Sequence, residues 1–251
     1  LGRGGSDYSA SLFGAAIGAE EIQIWTDVEG VLTSDPRVVP DARPIETLGY
    51  GEAAELAAFG AKVLHPATIR PAVELGIPVT VRDSRVPDGR FTTISKSSAS
   101  GRPVTALASR GPVSVLSVRS ASMLGGTGFL ARIFEAFGRR GIPVDVVATS
   151  EVSVSATVDD GARTDELVEE LSAFAEVSVT HGRAVVAIVG DRLRQTPGVA
   201  GKAFSALRDI NVEMISLGAN EINLSLVVPA EDAAAAQRRL HAAFFGPEAG
   251  A

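Results

Sequence analysis

Leu1-Gly-Arg-Gly-Gly-Ser-Asp-Tyr-Ser-Ala10 opens the 251-residue chain with a glycine-rich turn that runs directly into a helical pattern, and the fold of the first hundred residues is read outward from it. Tyr8, Leu12, Ala15 and Ala16 recur at helical spacing, so a helix is expected over 6–18 with Ser6 as its N-cap. Ile22-Gln-Ile-Trp25 reads as a short buried strand. Alanine-rich helices are expected over 51–60 and 66–75, and Gly76-Ile-Pro78 turns the chain into a strand, Val79-Thr-Val-Arg82. This alternation is the mark of an α/β class. A strand normally launches such a glycine turn, and none precedes Leu1, so the chain reads as a fragment that opens in mid-domain.

With 45% hydrophobic and 21% charged residues, the chain can bury cores in one to three domains of ordinary size. The sequence holds no apolar run of membrane-span length and no basic-then-apolar signal pattern, which makes a membrane partner unexpected and the cytoplasm the default compartment. Zero cysteines rule out disulfides, thiolate metal sites and cysteine nucleophiles. A formal charge of -7 argues against a nucleic-acid partner.

Ser95-Lys-Ser-Ser-Ala-Ser-Gly-Arg-Pro103 is a polar run of small residues without periodicity, and a domain junction is expected there. Beyond it the pattern predicts strands near 104–109, 113–119, 143–149, 152–158, 176–181, 184–190, 212–217 and 221–228. Helices are expected near 127–140, 164–174, 199–209 and 231–244. Taking 113–181 as an insertion leaves a second unit of the same kind, so two ferredoxin-like βαββαβ modules are expected, the first inserted in the second. The modules echo each other: Gly128-Phe-Leu-Ala-Arg-Ile-Phe against Gly201-Lys-Ala-Phe-Ser-Ala-Leu, and Gly141-Ile-Pro-Val-Asp-Val-Val against Ile210-Asn-Val-Glu-Met-Ile-Ser. Expected boundaries are 1–100 for the α/β part, 113–182 for the first module, and 101–112 plus 183–245 for the second.

The opening stretch, Trp25-Thr-Asp-Val-Glu-Gly30, Asp35-Pro-Arg37 and Phe59-Gly-Ala-Lys-Val-Leu-His-Pro66 together resemble the nucleotide-binding half of an aspartate kinase. The tandem modules resemble ACT domains, which bind free amino acids, and the run from Met123 to Glu151 is most similar to the single-function, lysine-inhibited type. The resemblance implies a partial amino-acid-kinase fold followed by two ACT domains. It also implies ATP-dependent phosphorylation of L-aspartate to 4-phospho-L-aspartate, with ATP and Mg2+ as nucleotide substrate and feedback by a product amino acid. The Lys-Phe-Gly-Gly-Thr-Ser segment of such kinases, whose lysine stabilises the transferring phosphoryl group, has no counterpart here, so the chain by itself is expected to be inactive.

Phosphoryl transfer to a carboxylate rests on positioning and on donors aimed at developing charge. An arginine suits a carboxylate bidentately, and exposed amides at a helix start favour an anion. By resemblance Arg3, Ser6 and Asp7 serve the aspartate and phosphate site. Thr26 and Asp27 end a strand, the usual place for ligand contacts in an open α/β sheet. The resemblance sets them beside the nucleotide, with Leu32, Asp35 and Arg37 on the covering loop and Lys62 at the phosphates. Leu32 stands where the family often has an aromatic residue.

In the first module Met123-Leu-Gly-Gly-Thr-Gly-Phe-Leu130 is a turn whose glycines leave amides open to a carboxylate. Met123, Gly126, Gly128, Val144, Asp145, Thr149, Ser150 and Glu151 are the expected effector-binding residues, with Asp145 meeting an ammonium group. Gly126 and Pro143 replace serines common in the lysine-sensing type, which leaves lysine favoured and threonine open. In the second module Thr196-Pro-Gly-Val-Ala-Gly replaces the glycine turn, so that module is expected to serve pairing, and a homo-oligomer through the ACT domains follows. Gly198-Val-Ala-Gly-Lys-Ala203 lacks the residues a Walker loop needs and reads as a helix start. His65, His181 and His241 have no ligand spacing, and no protein metal site is expected. An alternative reading is an amino-acid-binding regulatory subunit of a kinase complex.

Overall fold

The computed structural model describes residues 5–60, 66–96, 102–218 and 220–247. The first part contains α1 (Gly5–Ile17), β1 (Ile22–Thr26), β2 (Thr47–Gly49), α2 (Tyr50–Ala58), α3 (Pro66–Leu75), β3 (Val79–Asp83) and β4 (Phe91–Ser95). Its strands form a sheet in the order β1-β3-β4-β2. Strands β1 and β3 run parallel from Ile22 opposite Val79 to Thr26 opposite Asp83, and β4 is antiparallel to β3.

Two readings of this half are corrected. Helix α1 already includes Gly5, so Ser6 lies within its first turn and does not cap it. The buried residues of α1 are Ser11 and Gly14, while Leu12, Phe13 and Ile17 are exposed. Close approach outweighed hydrophobicity here: a Cβ on Gly14 would stand 2.6 Å from Ile22 Cγ1, so only a small residue lets the helix rest on β1. Strand β1 is also buried on one side only, with Gln23 and Trp25 facing out. Strands β2 and β4 escaped the sequence reading because one has three residues and the other, Phe91-Thr-Thr-Ile-Ser95, has two apolar ones.

The second part contains β5 (Ala106–Arg119), α4 (Phe129–Arg139), β6 (Val147–Thr149), β7 (Ser153–Asp159), α5 (Asp165–Ser172), β8 (Glu176–Val189), α6 (Val199–Ala206), β9 (Met214–Leu217), β10 (Asn223–Pro229) and α7 (Ala233–Phe245). These strands make one antiparallel sheet ordered β6-β7-β5-β8-β10-β9. The eight expected strands become six. The strands expected at 104–109 and 113–119 are continuous as β5, with a register shift between Arg110 and Val113; those expected at 176–181 and 184–190 are continuous as β8. Hydrogen bonding to a long neighbour carries each strand through its glycine, Gly111 or Gly182. Each module's sheet, β8-β5-β7-β6 or β5-β8-β10-β9, is a four-stranded ferredoxin-like order, and the two share the central pair.

Alternation along the strands distributes the cores. Helices α4 and α5 cover Leu116, Val118, Val154, Ala156 and Val158. Helices α6 and α7 cover Leu107, Val186, Ile188, Leu224, Leu226 and Val228. The opposite face of the second module, with Ala106, Ala108, Val185, Ala187 and Val227, joins Leu48 and Ile94 of the first sheet and Ala53 and Leu56 of α2 in one core. Where the chain enters the second module the backbones nearly touch: a Cβ on Gly190 would lie 2.1 Å from the Pro103 carbonyl oxygen.

Candidate functional site

The end of β1 is tied to the end of β3. The Thr26 carbonyl accepts from the Ser84 N–H at 2.8 Å and from its hydroxyl at 2.9 Å, and the Asp27 carbonyl accepts from the Arg85 guanidinium. Asp83 holds that guanidinium at 2.8 Å, and these hydrogen bonds keep the Asp83 carboxyl below the usual carboxylate range. The chain then turns at Gly30, whose φ of 126° belongs to glycine and whose missing Cβ leaves room for Thr92. Thr92 fixes the turn by accepting from Val31 N–H at 2.8 Å and donating to Ile45 C=O at 2.6 Å.

From this turn the chain forms a cavity of about 470 Å³ whose lining includes Asp27, Leu32, Asp35 and Arg37. Thr26 stands one residue behind it, its hydroxyl bonded to Asp27 at 3.2 Å. Asp35 clamps Arg37 through the backbone N–H at 2.9 Å and the guanidinium at 2.6 Å, and the guanidinium pKa is raised by that carboxylate. Ser6 is exposed and Asp7 half-buried on the first turn of α1, and neither lines this cavity. Arg3 and Lys62 lie outside the described residues.

Four lining residues come from the second module and were missed by the sequence reading: Leu107, Ala108 and Ser109 on β5 and Gln237 on α7. Gln237 is 1% exposed; its amide donates to Ser34 Oγ at 2.7 Å and its carbonyl accepts from Ser109 Oγ at 2.8 Å. One turn later His241 meets the Thr33 hydroxyl at 2.9 Å. No local sequence signal links residues about two hundred positions apart.

In the first module, Gly125 and Gly128 adopt φ of 68° and 80°. A Cβ at Gly126 would lie 2.4 Å from the Ser122 carbonyl oxygen, so a serine there requires the turn to shift. Met123 and Val144 pack on the same core. Asp145 is exposed and is held by Arg110, which donates to it at 2.8 Å and to Asp159 at 2.5 Å. Ser150 closes the hairpin before β7, its hydroxyl 2.7 Å from that of Ser153, and Thr149 and Glu151 are exposed beside it. At the matching turn of the second module a cavity of about 630 Å³ is lined by Arg43, Gly198, Lys202 and Phe244. Among the described residues no group of His, Asp and Glu could hold a metal ion, and no helix is long and apolar enough to cross a membrane.

The amino acid kinase family profile matches residues 1–83, and the ACT domain profile matches 116–164 and 186–244. The chain is 44% identical to lysine-sensitive aspartokinase 3 of Escherichia coli over 98% of its own length and 56% of that protein. It is 44% identical to chloroplastic aspartokinase 3 of Arabidopsis thaliana over 98% of itself and 46% of that protein. The chain thus spans about half the length of the curated relatives it matches. It superposes on E. coli aspartokinase III in complex with aspartate and ADP, the R-state, with a TM-score of 0.88 at 43% identity, covering 98% of this chain and 57% of that one. Against the T-state complex with lysine and aspartate the TM-score is 0.84 at 44% identity, covering 98% and 56%. The regulatory subunit of aspartate kinase from Thermus thermophilus matches 57% of this chain and 99% of its own, at 30% identity and a TM-score of 0.51.

Proposed function

The chain belongs to the aspartokinase family, and on that premise we propose that it supplies the nucleotide site and the amino-acid sensor of an ATP-dependent kinase converting L-aspartate to 4-phospho-L-aspartate. The observation that carries this reading is the convergence of Asp27, Leu32, Asp35 and Arg37 on one cavity beyond the carboxyl end of β1. Lys62 is the cation offered to the phosphates, Arg37 stands on the loop that covers the nucleotide, and Arg3, Ser6 and Asp7 are the aspartate-side groups. Magnesium would enter with ATP as part of the substrate and would neutralise phosphate charge. The chemistry needs an in-line carboxylate and neutralised phosphates, and the chain's own residues provide orientation and charge. Without a counterpart of the Lys-Phe-Gly-Gly-Thr-Ser segment in its 251 residues, the chain alone does not turn over aspartate.

The effector in this reading is lysine, with threonine the competitor, bound between first modules of two chains. The glycine turn with Met123, Gly126 and Gly128 faces its carboxylate; Val144, Asp145, Thr149, Ser150 and Glu151 take the ammonium side. A product amino acid shifts the kinase only by binding its two states unequally. Calorimetric titration of the chain with L-lysine, L-threonine and Mg·ADP tests both halves. Saturable lysine binding that Asp145→Ala weakens about tenfold or more supports the sensor assignment, as befits loss of a charged hydrogen bond. Lysine binding indifferent to that substitution removes Asp145 from the site, and absence of Mg·ADP binding removes the nucleotide reading.

A second reading is favoured by the Thermus thermophilus subunit, whose length is almost wholly covered by the ACT half of this chain. A stand-alone regulatory subunit has no use for the loop from Thr26 to Arg37, however, and Mg·ADP binding separates the two.

A further inference from the structure

The second module lacks the polar turn of the first, yet its helix α7 places two polar side chains one turn apart against two consecutive residues of the loop that walls the 470 Å³ cavity. Gln237 donates to Ser34 Oγ at 2.7 Å, and His241 shares a hydrogen bond with Thr33 Oγ1 at 2.9 Å. Strand β5 holds the same loop from another side, Leu107 N–H donating to the Thr33 carbonyl at 2.8 Å. Ser34 and Thr33 are 4% and 6% exposed, so water cannot replace these partners without opening the join between the two halves.

We propose that the second module is part of the nucleotide site: Gln237 is a positioning residue that sets the loop carrying Leu32, Asp35 and Arg37, and Ser109 forms the cavity's far wall. The inference deepens the nucleotide reading above and rests on it. A carboxamide has both a donor and an acceptor, and Gln237 spends one on each side of the cavity, Ser34 on the kinase loop and Ser109 on β5. The link fixes the spacing of the two walls. An apolar side chain of equal length at 237 fills the same volume and releases both hydroxyls.

Mg·ADP titration of the chain and of Gln237→Met, Ser34→Ala, Ser109→Ala and Arg37→Ala is the test. Gln237→Met and Ser34→Ala each weaken binding about fivefold to tenfold, the usual worth of one buried hydrogen bond. The Gln237→Met/Ser34→Ala double variant is no weaker than the worse single one, because both remove the same bond. A general loss of structure instead gives additive losses and also disturbs L-lysine binding, which the proposal leaves unchanged. If Gln237→Met does not fold, Ser34→Ala removes the bond from the loop side and decides the question alone. Wild-type affinity in Ser34→Ala and Gln237→Met, with Arg37→Ala impaired, overturns the role of the second module and keeps the nucleotide reading. A wild-type chain that does not bind Mg·ADP ends both.

Discussion

His241 is the clearest case of a residue whose environment changes its chemistry. Burial, and then the neighbouring Arg43 cation, push its pKa below the ordinary histidine value of 6.5, against a weaker pull from Asp41. Its ring stacks on Phe245 with centroids 4.7 Å apart and bonds Thr33, so the neutral form is the one the fold accommodates. A histidine depressed in the folded state binds its proton more readily when unfolded, so stability rises with pH across the window. The contribution is complete above about pH 6.5 and is lost as pH falls from there toward the lower folded-state value. Urea midpoints measured between pH 5.5 and 7.5 fall on acidification, and His241→Gln, which keeps a hydrogen bond to Thr33 but does not titrate, flattens that segment. Carboxylates depressed by partners, Asp83 by Arg85 and Glu170 by Arg139 and Arg140, add a separate loss only at more acid pH. None of this was readable at residue 241, where an isolated histidine on an alanine-rich helix signals nothing.

Strand β5 is the element that joins the two candidate sites. Ser109 reaches the candidate nucleotide cavity, and the next residue, Arg110, points to the other face of the strand and holds Asp145 and Asp159. Burial lowers the Arg110 pKa, but Asp145 and Asp159 outweigh it and leave the guanidinium raised. Arg110 thus presents Asp145 with an internal cation, the same chemistry that an effector ammonium offers. Replacing it, Arg110→Gln, removes the competitor and tightens L-lysine binding about twofold to fivefold, the scale of a partly exposed ion pair. Weaker binding in calorimetry shows instead that Arg110 holds Asp145 in place for the ligand. The sequence reading found the strand on each side of residue 110 but placed a break between them. Gly111-Pro112 looks like a turn in isolation, and pairing to the long β8 overrides that local preference.

At the scale of the whole molecule, the largest core runs across both sheets, from Ile22 and Val79 through Leu56 to Ala106, Val185 and Val227. The halves therefore stabilise each other and unfold together. Leu56, 3% exposed in that join, is the probe: Leu56→Ala costs about 2–5 kcal/mol and lowers a single thermal transition in calorimetry. Two resolved transitions in the wild-type chain would falsify the shared core. The sequence by itself determined the class of each half and the nested repeat, because these rest on local periodicity, turn chemistry and motifs confined to a few positions. It could not show that α1 buries Ser11 and Gly14 in place of Leu12, nor that β5 and β8 run unbroken, since close approach and strand pairing are set by partners distant in the chain. Tertiary structure alone decided that Gln237 and Ser109 stand at the candidate nucleotide site. Their contacts arise where two independently patterned halves bury their apolar faces against each other, and polar groups trapped in such a join are held only by the partners that packing brings to them.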